Sequence, residues 1–200
     1  MVMIGVLQFY VNVYINIKIF CYSMMSIFLE IFNNFGTFGP IILIFFSMYL
    51  LWNKHNLFFY YNVGIFIDAI LNLILKGILK QPRPSENPKT FEFAINQGKR
   101  FLFKDGIPYD ILGMPSGHSQ SSLFSTIFIY LSLKNNNILY IYLFISLLTM
   151  IQRVVYNHHT IFQVIVGALA GLIFGYVFYQ LAREKITGQI SEKPDDFGPI

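Results

Sequence analysis

The chain has 200 residues, of which 55% are hydrophobic and only 12% are charged, and its formal net charge is +4. The chain has too little polar surface for a soluble globule of this size. Lipid must therefore form part of its surroundings. The small positive charge is spread over several loops, which favours contact with phosphate or anionic lipid and argues against nucleic acid. The single Cys21 excludes an intrachain disulfide.

Apolar blocks of about 17 to 25 residues, the length that crosses a bilayer as a helix, predict an all-α integral membrane bundle of about six transmembrane helices. For the first block, a helix lying partly in the membrane interface is an alternative. We expect one transmembrane domain over residues 1–182 and a short polar tail over 183–200. No clean signal peptide precedes the first block, so the N-terminus is expected to be retained. The predicted helices cover residues 4–32, 38–53, 57–80, 116–134, 138–157 and 159–182.

Polar residues inside the third predicted helix form one stripe. Asp68, Asn72 and Lys76 recur every four residues, and intramembrane charge of this kind normally faces the bundle interior. We expect Asp68 to be the partner of a cation or of Asn72. If the third to sixth helices cross in alternation, the end of the third, the start of the fourth, the end of the fifth and the start of the sixth meet at one membrane face.

The sixth predicted helix carries a ladder with the same four-residue spacing, namely His159, Gln163, Gly167, Gly171 and Gly175. Small residues at this spacing allow another helix to approach closely. We therefore interpret the glycines as a packing surface below a polar end.

Three segments place cations and hydrogen-bond donors at that same membrane face. A phosphoryl group in transfer carries negative charge on three oxygens, so a site for it needs converging donors. The arginines suit this role because their planar guanidinium groups grip two oxygens at once. At the start of the fourth helix, backbone N–H groups and the helix dipole add to the site. The expected phosphate-binding residues are Lys76, Arg83, Ser116, Gly117 and Arg153.

Two histidines complete this chemistry. We assign His159 as the nucleophile that attacks phosphorus and His118 as the acid that protonates the departing oxygen. Gln163 lies one helical turn after His159, where its carbonyl is expected to accept from Nδ1–H and leave the lone pair of Nε2 available. His158 points elsewhere and is interpreted as interfacial. A metal site at these histidines is disfavoured, since no carboxylate or cysteine lies at ligand spacing.

Together these segments resemble the signature of the type 2 phosphatidic acid phosphatase superfamily. That signature is a Lys, six residues and Arg-Pro, then Pro-Ser-Gly-His, then an Arg, five residues, a His, three residues and usually Asp. Here the segments span residues 76–84, 115–118 and 153–163 in the same order, and the resemblance covers roughly 57–180. It implies a six-helix core, a metal-independent and cofactor-free reaction through a phosphohistidine, and a phosphate cradle built from the residues named above.

Two positions depart from the usual signature. Gln163 replaces the Asp, and Gln152 replaces a Ser that often precedes the Arg. The Gln and the residues around the three segments look like the dolichyldiphosphatase branch, although glucose-6-phosphatase-like enzymes share that Gln. A neutral amide cannot stabilise an imidazolium as a carboxylate does. This difference also favours the alternative that the protein has weak or no catalytic activity.

We therefore interpret the chain as a membrane phosphatase that hydrolyses a lipid-linked phosphate or diphosphate, with polyprenyl (dolichyl) diphosphate as the preferred substrate. The alternative is a catalytically weak or inactive structural or lipid-binding protein that keeps the cradle. Expected partners are the substrate and membrane lipids. We expect a multi-pass location in an endoplasmic-reticulum-type, viral or other internal membrane, with the site facing the lumen by analogy. Within the long polar loop 81–115, the segment 85–112 interleaves aromatic and basic residues, which suits an amphipathic element among headgroups that serves as a membrane anchor or lies on the lipid's route to the site.

Overall fold

The computed structural model describes residues 2–104 and 106–186, and within them the chain is mostly helical. A small antiparallel hairpin accompanies the helices, so the all-α expectation holds for the bundle but not for the loop. The helices are α1 (Val2–Leu50), α2 (His55–Leu79), α3 (Pro88–Asn96), α4 (Gly117–Leu133), α5 (Asn136–Val155) and α6 (Ile161–Ile186), and the strands are β1 (Phe101–Lys104) and β2 (Ile107–Asp110). The first residues of the predicted tail belong to α6, and the rest of that tail lies outside the described residues.

The first two predicted helices, 4–32 and 38–53, are one continuous helix, so the predicted break between them is wrong. Pro40 suggested that break because proline lacks the N–H of a helical hydrogen bond. On this stretch α1 lies so close to α5 that a Cβ at Gly36 would overlap the side chain of Gln152. Close packing along α5 therefore outweighs the local signal for a break.

The chain is a multi-pass membrane protein. By length and composition, four helices of the described residues qualify as membrane spans, against about six predicted: Ser23–Leu50, His55–Leu79, Asn136–Val155 and Ile161–Glu184. The difference arises from the merged α1 and from α4, which has only 17 residues.

Helix α4 is the central helix of the bundle and packs against α1, α2, α5 and α6. Its middle is rich in hydroxyl groups, two of which bond to neighbouring helices. The Ser125 hydroxyl lies 2.8 Å from that of Tyr61, and the Thr126 hydroxyl lies 3.0 Å from that of Ser146. These contacts place polar side chains inside the bundle and leave the apolar faces of the outer helices for lipid.

The glycine ladder of α6 packs against α4, which confirms its interpretation as a packing surface. A Cβ at Gly167 would overlap the backbone oxygen of Ser116, and a Cβ at Gly171 would overlap that of Gln120. Only a residue without a side chain allows this approach. The ladder thereby holds the start of α4 directly against the start of α6.

The loop between α2 and α4 folds into a compact unit of α3 and the hairpin, which the sequence did not predict in this form. Ala94, Ile111 and Leu112 are buried in a small apolar cluster. The loop also folds back on itself, since Leu112 pairs with Pro82 as an isolated bridge and the Gly113 amide donates to the Gln81 carbonyl at 2.7 Å. This pairing brings the start and the end of the loop together beside α2.

Candidate active site

The predicted charged and basic residues lie in one cluster at one end of the bundle. The guanidinium of Arg83 is close enough to act electrostatically on His159, His118 and Arg153. Lys76 also acts on His159. The end of α2, the start of α4, the end of α5 and the turn before α6 therefore meet, as alternating helices require.

His159 is buried, with 3% of its surface exposed, in the turn before α6. Its Nδ1 lies 2.8 Å from the carbonyl oxygen of Gly113. Because a carbonyl oxygen only accepts, Nδ1 carries the proton and Nε2 keeps its lone pair. Burial, followed by the charge of Arg83, lowers the pKa of His159 to about 3. The imidazole is therefore neutral at ordinary pH, as a nucleophile requires.

The expected tautomer of His159 is present, but its main partner differs from the expectation. Gly113 makes the contact assigned to Gln163, and Gln163 contributes the smallest of the interactions acting on the His159 pKa. The Gln163 side chain instead accepts from the Thr160 amide at 3.2 Å and donates to the Pro82 carbonyl at 2.9 Å. Gln163 thus joins the first segment to the start of α6.

His118 lies in the first turn of α4, within electrostatic range of Arg153, His159 and Arg83. Its ring hydrogen-bonds the backbone carbonyl of Thr37 in α1. With one ring nitrogen held in this way, the other is left for the cluster. Helix α1 is therefore part of the site, a role that no sequence pattern indicated.

Arg153 is buried, with 6% of its surface exposed, at the end of α5. Its Nε and one terminal nitrogen have no hydrogen-bond partner among the described residues. Burying a charged donor without a partner costs on the order of several kcal/mol, so native structures rarely tolerate it without a reason. A guanidinium held in this way, near the imidazoles of His118 and His158, is suited to binding an anion.

Gln152, the residue directly before Arg153, is held in place by α1. Its amide nitrogen donates to Asn33 Oδ1 at 2.7 Å, and the whole side chain is buried. The replacement of the usual Ser by Gln is thus matched by a partner in α1. Only the tertiary contact reveals why this position holds an amide.

Lys76 lies at the cluster but is not an isolated cation. Its Nζ is 2.9 Å from the Asp110 carboxylate at the end of β2. The Nε of Arg83 donates to the backbone carbonyl of the same Asp110 at 2.7 Å. Sequence reasoning missed Asp110, because it belongs to none of the three segments. The loop holds three other acidic residues, Glu86, Glu92 and Asp105, so no signal in the sequence singled out Asp110.

The start of α4 differs in detail from the expectation. The Ser116 amide donates to the Gln163 carbonyl at 3.1 Å, so this N–H group is not available to a ligand. Helix α4 begins at Gly117, whose ideal Cβ would lie 3.2 Å from Asn72 Oδ1. The backbone N–H groups that follow Ser116 in the first turn have no acceptor within the helix and are the ones that could bind a ligand.

The polar stripe of α2 faces the bundle interior, as expected, and all three of its members are buried. The Asp68 carboxylate accepts from the Gln120 amide at 2.8 Å, and Gln120 in turn accepts from Asn72 at 2.8 Å. The expectation that Asp68 pairs with a cation or directly with Asn72 is therefore wrong. Gln120 is the link that ties the stripe to α4.

His158 does not lie on a simple interfacial surface. It lines a cavity of about 610 Å³ together with Arg83, Tyr109 and Tyr156. Burial and the charges of Arg153 and Arg83 lower the pKa of His158. This cavity opens beside the cluster, on the side of the α3 and hairpin unit.

Comparison with known proteins gives the family of the chain. The family model described as the PAP2 superfamily matches residues 57–187, well over half of the chain. The chain belongs to the PAP2 superfamily. The match begins near the start of α2, so the whole of α1 lies outside it.

Among curated proteins, the chain is similar to the dolichyldiphosphatase of Saccharomyces cerevisiae, with 32% identity over 127 residues, which is 58% of this chain and 48% of the relative. It is also similar to human dolichyldiphosphatase 1, with 27% identity over 140 residues, 62% of this chain and 52% of the relative. The chain thus spans about half the length of the curated relatives it matches. No solved structure matches the chain.

Proposed function

We propose that this PAP2 protein is an integral membrane phosphatase that hydrolyses a lipid-linked diphosphate, with a polyprenyl diphosphate such as dolichyl diphosphate as substrate. The observation that carries the proposal is the buried guanidinium of Arg153 beside His118, with two nitrogens that lack a partner among the described residues. His159, in the same cluster around Arg83, is neutral. A phosphoryl group supplies the negative oxygens that such donors lack. The similarity to dolichyldiphosphatases supports the choice of substrate.

The chemistry would proceed in two displacements. Burial and the neighbouring cations lower the pKa of His118, so His118 would take up its proton when the anionic diphosphate binds beside it. The Nε2 lone pair of His159 forms a bond to the terminal phosphorus while the bond to the bridging oxygen breaks, and His118 gives that proton to the bridging oxygen. Water, deprotonated by His118, then attacks the phosphohistidine. Orthophosphate leaves, and His159 returns to its neutral form. Arg83, Arg153 and Lys76 would bind the equatorial oxygens throughout.

The test uses the purified, detergent-solubilised protein with a panel of lipid phosphates and diphosphates and without added metal. We expect release of orthophosphate from the diphosphate, no release by His159→Ala, and slower phosphoenzyme formation by His118→Ala. His55→Ala is the matched control, because this exposed histidine lies at the opposite end of α2. Unchanged turnover by His159→Ala would refute the assignment of the nucleophile.

A second candidate, a lipid-binding protein without turnover, is favoured by the amide at position 163. The Gln163 side chain bonds to Thr160 and Pro82, and its neutral amide does not stabilise an imidazolium at His159 as a carboxylate would. Gln163→Asp separates the two candidates. A large gain over a baseline near zero supports the binding protein, whereas robust activity with the native Gln excludes it. The membrane is proposed to be an internal one, with the site on its lumenal side.

A further inference from the structure

Between the first and second segments of the signature lies a residue that contacts both cations of the first segment. The Asp110 carboxylate binds Lys76 Nζ at 2.9 Å, and the Asp110 backbone carbonyl accepts from Arg83 Nε at 2.7 Å. We propose that Asp110 is a positioning residue of the phosphate cradle, which sets the places of Lys76 and Arg83 relative to each other. The inference rests on the proposed function.

The Asp110 carboxylate is itself held rigidly. Arg100 donates to it from Nε at 3.1 Å and from a terminal nitrogen at 2.8 Å, and the Leu112 amide donates to it at 3.0 Å. The other terminal nitrogen of Arg100 donates to the Leu73 carbonyl at 2.8 Å, which ties the pair to α2. A two-point contact between Arg and a carboxylate fixes orientation as well as distance. Asp110 is therefore a rigid anchor for the Lys76 side chain.

Lys76 needs such an anchor because of its length. An unpaired lysine at a helix end extends toward the headgroups, away from the bundle interior. Ordering such a long side chain costs free energy through lost rotamer freedom. In this structure the salt bridge meets that cost before substrate arrives. The Lys76 side chain keeps 7% exposure and stays near His159.

The salt bridge does not cancel the charge that phosphate needs. Two cations, Lys76 and Arg100, share the one carboxylate of Asp110. Arg83 contacts only the uncharged backbone carbonyl of Asp110. The cluster therefore keeps a net positive charge while its geometry is fixed.

The same short segment also orients the nucleophile. Residues 81–83 and 111–113 run side by side, since the Arg83 amide donates to the Ile111 carbonyl at 3.2 Å and the Gly113 amide to Gln81. The Gly113 carbonyl then accepts from His159. A shift of the segment at Asp110 would consequently reach both the cations and the imidazole.

The loop has a second source of stability, which makes the proposal testable. The apolar cluster around Ala94, Ile111 and Leu112 holds α3 and the hairpin without help from the carboxylate. Asp110→Asn keeps the shape of the side chain and the backbone carbonyl but removes the charge. We expect this variant to fold and to lose the fixed position of Lys76.

The experiment measures binding of orthovanadate, a phosphate mimic, to the full chain in detergent, in wild type, Asp110→Asn, Lys76→Met and the double variant. Vanadate binding needs no turnover, so each variant gives a value. We expect Asp110→Asn to weaken binding about tenfold and to have little further effect once Lys76 is replaced, because contacting residues couple in a double-mutant cycle. Glu92→Gln, the same change at an exposed position of α3, is the matched control.

The outcomes separate the two proposals. Independent, additive effects of Asp110→Asn and Lys76→Met, or wild-type binding by Asp110→Asn, would overturn the positioning role. A wild-type protein that binds vanadate and releases phosphate normally would at the same time leave the proposed function intact. A wild type that neither binds vanadate nor releases phosphate would instead contradict the proposed function.

Discussion

Replacing Gly167 with alanine tests how tightly the site depends on the contact between α4 and α6. The added methyl group would overlap the backbone oxygen of Ser116 and would lie 3.1 Å from its nitrogen and 3.2 Å from its carbonyl carbon. The obstacle is backbone, so no side chain rotation relieves it. The two helices must therefore separate at the place where Gly117 and His118 enter the site.

The size of the effect follows from this overlap. Forcing one extra methyl group into a close-packed contact costs about 1–3 kcal/mol. For a chain of this length each kcal/mol lowers Tm by about 2–4 °C. The start of α4 would move by roughly 1 Å, and a misplacement of that order reduces catalytic rate by about 10²-fold. Activity should therefore fall much further than stability.

The assay compares Tm and phosphate release for wild type, Gly167→Ala and Gly77→Ala in the same detergent. Gly77 is also helical, but a Cβ there meets nothing within 4 Å. Since alanine favours a helix over glycine by about 1 kcal/mol, Gly77→Ala should keep or raise Tm and retain activity. Wild-type Tm and activity in Gly167→Ala would refute the close α4–α6 contact and the reasoning built on it.

Three further changes probe other parts of the site. The pKa of His159 is lowered to about 3, whereas that of an unfolded histidine is about 6.5, so at mildly acidic pH the unfolded chain binds a proton that the folded chain does not. The Tm of wild type should therefore fall relative to that of His159→Asn between about pH 7 and pH 5. A Tm difference that does not change with pH would contradict the buried neutral imidazole. Asn33→Ala leaves the Gln152 amide without its 2.7 Å partner, so the free energy of unfolding should fall by about 1–3 kcal/mol, with a lower Tm and reduced activity. Asn34→Ala, at an exposed position, serves as the control. Arg153→Lys keeps the charge but loses the planar pair of donors, and kcat/KM should fall by up to about 10²-fold; wild-type kinetics would count against an anion at this guanidinium.

Several features of the protein could be predicted from the sequence because they depend on neighbours along the chain. Apolar runs identified α2, α4, α5 and α6 to within a few residues. The four-residue spacing identified the buried stripe of α2 and the packing face of α6. The three polar segments could be placed at one end of the bundle, since each stands at a helix end and consecutive helices alternate in direction.

Other features depended on partners far apart in the chain, which a one-dimensional pattern does not record. Pro40 signals a break in isolation, yet α1 continues past it because its glycine face packs on α5. Asp110 looks like any loop acid until the hairpin brings it to Lys76. The imidazole of His159 is oriented by a backbone carbonyl, that of Gly113, and any residue type supplies such a group. Local periodicity and helix-end chemistry thus determined which residues could meet, whereas tertiary packing decided which atoms hold them in place.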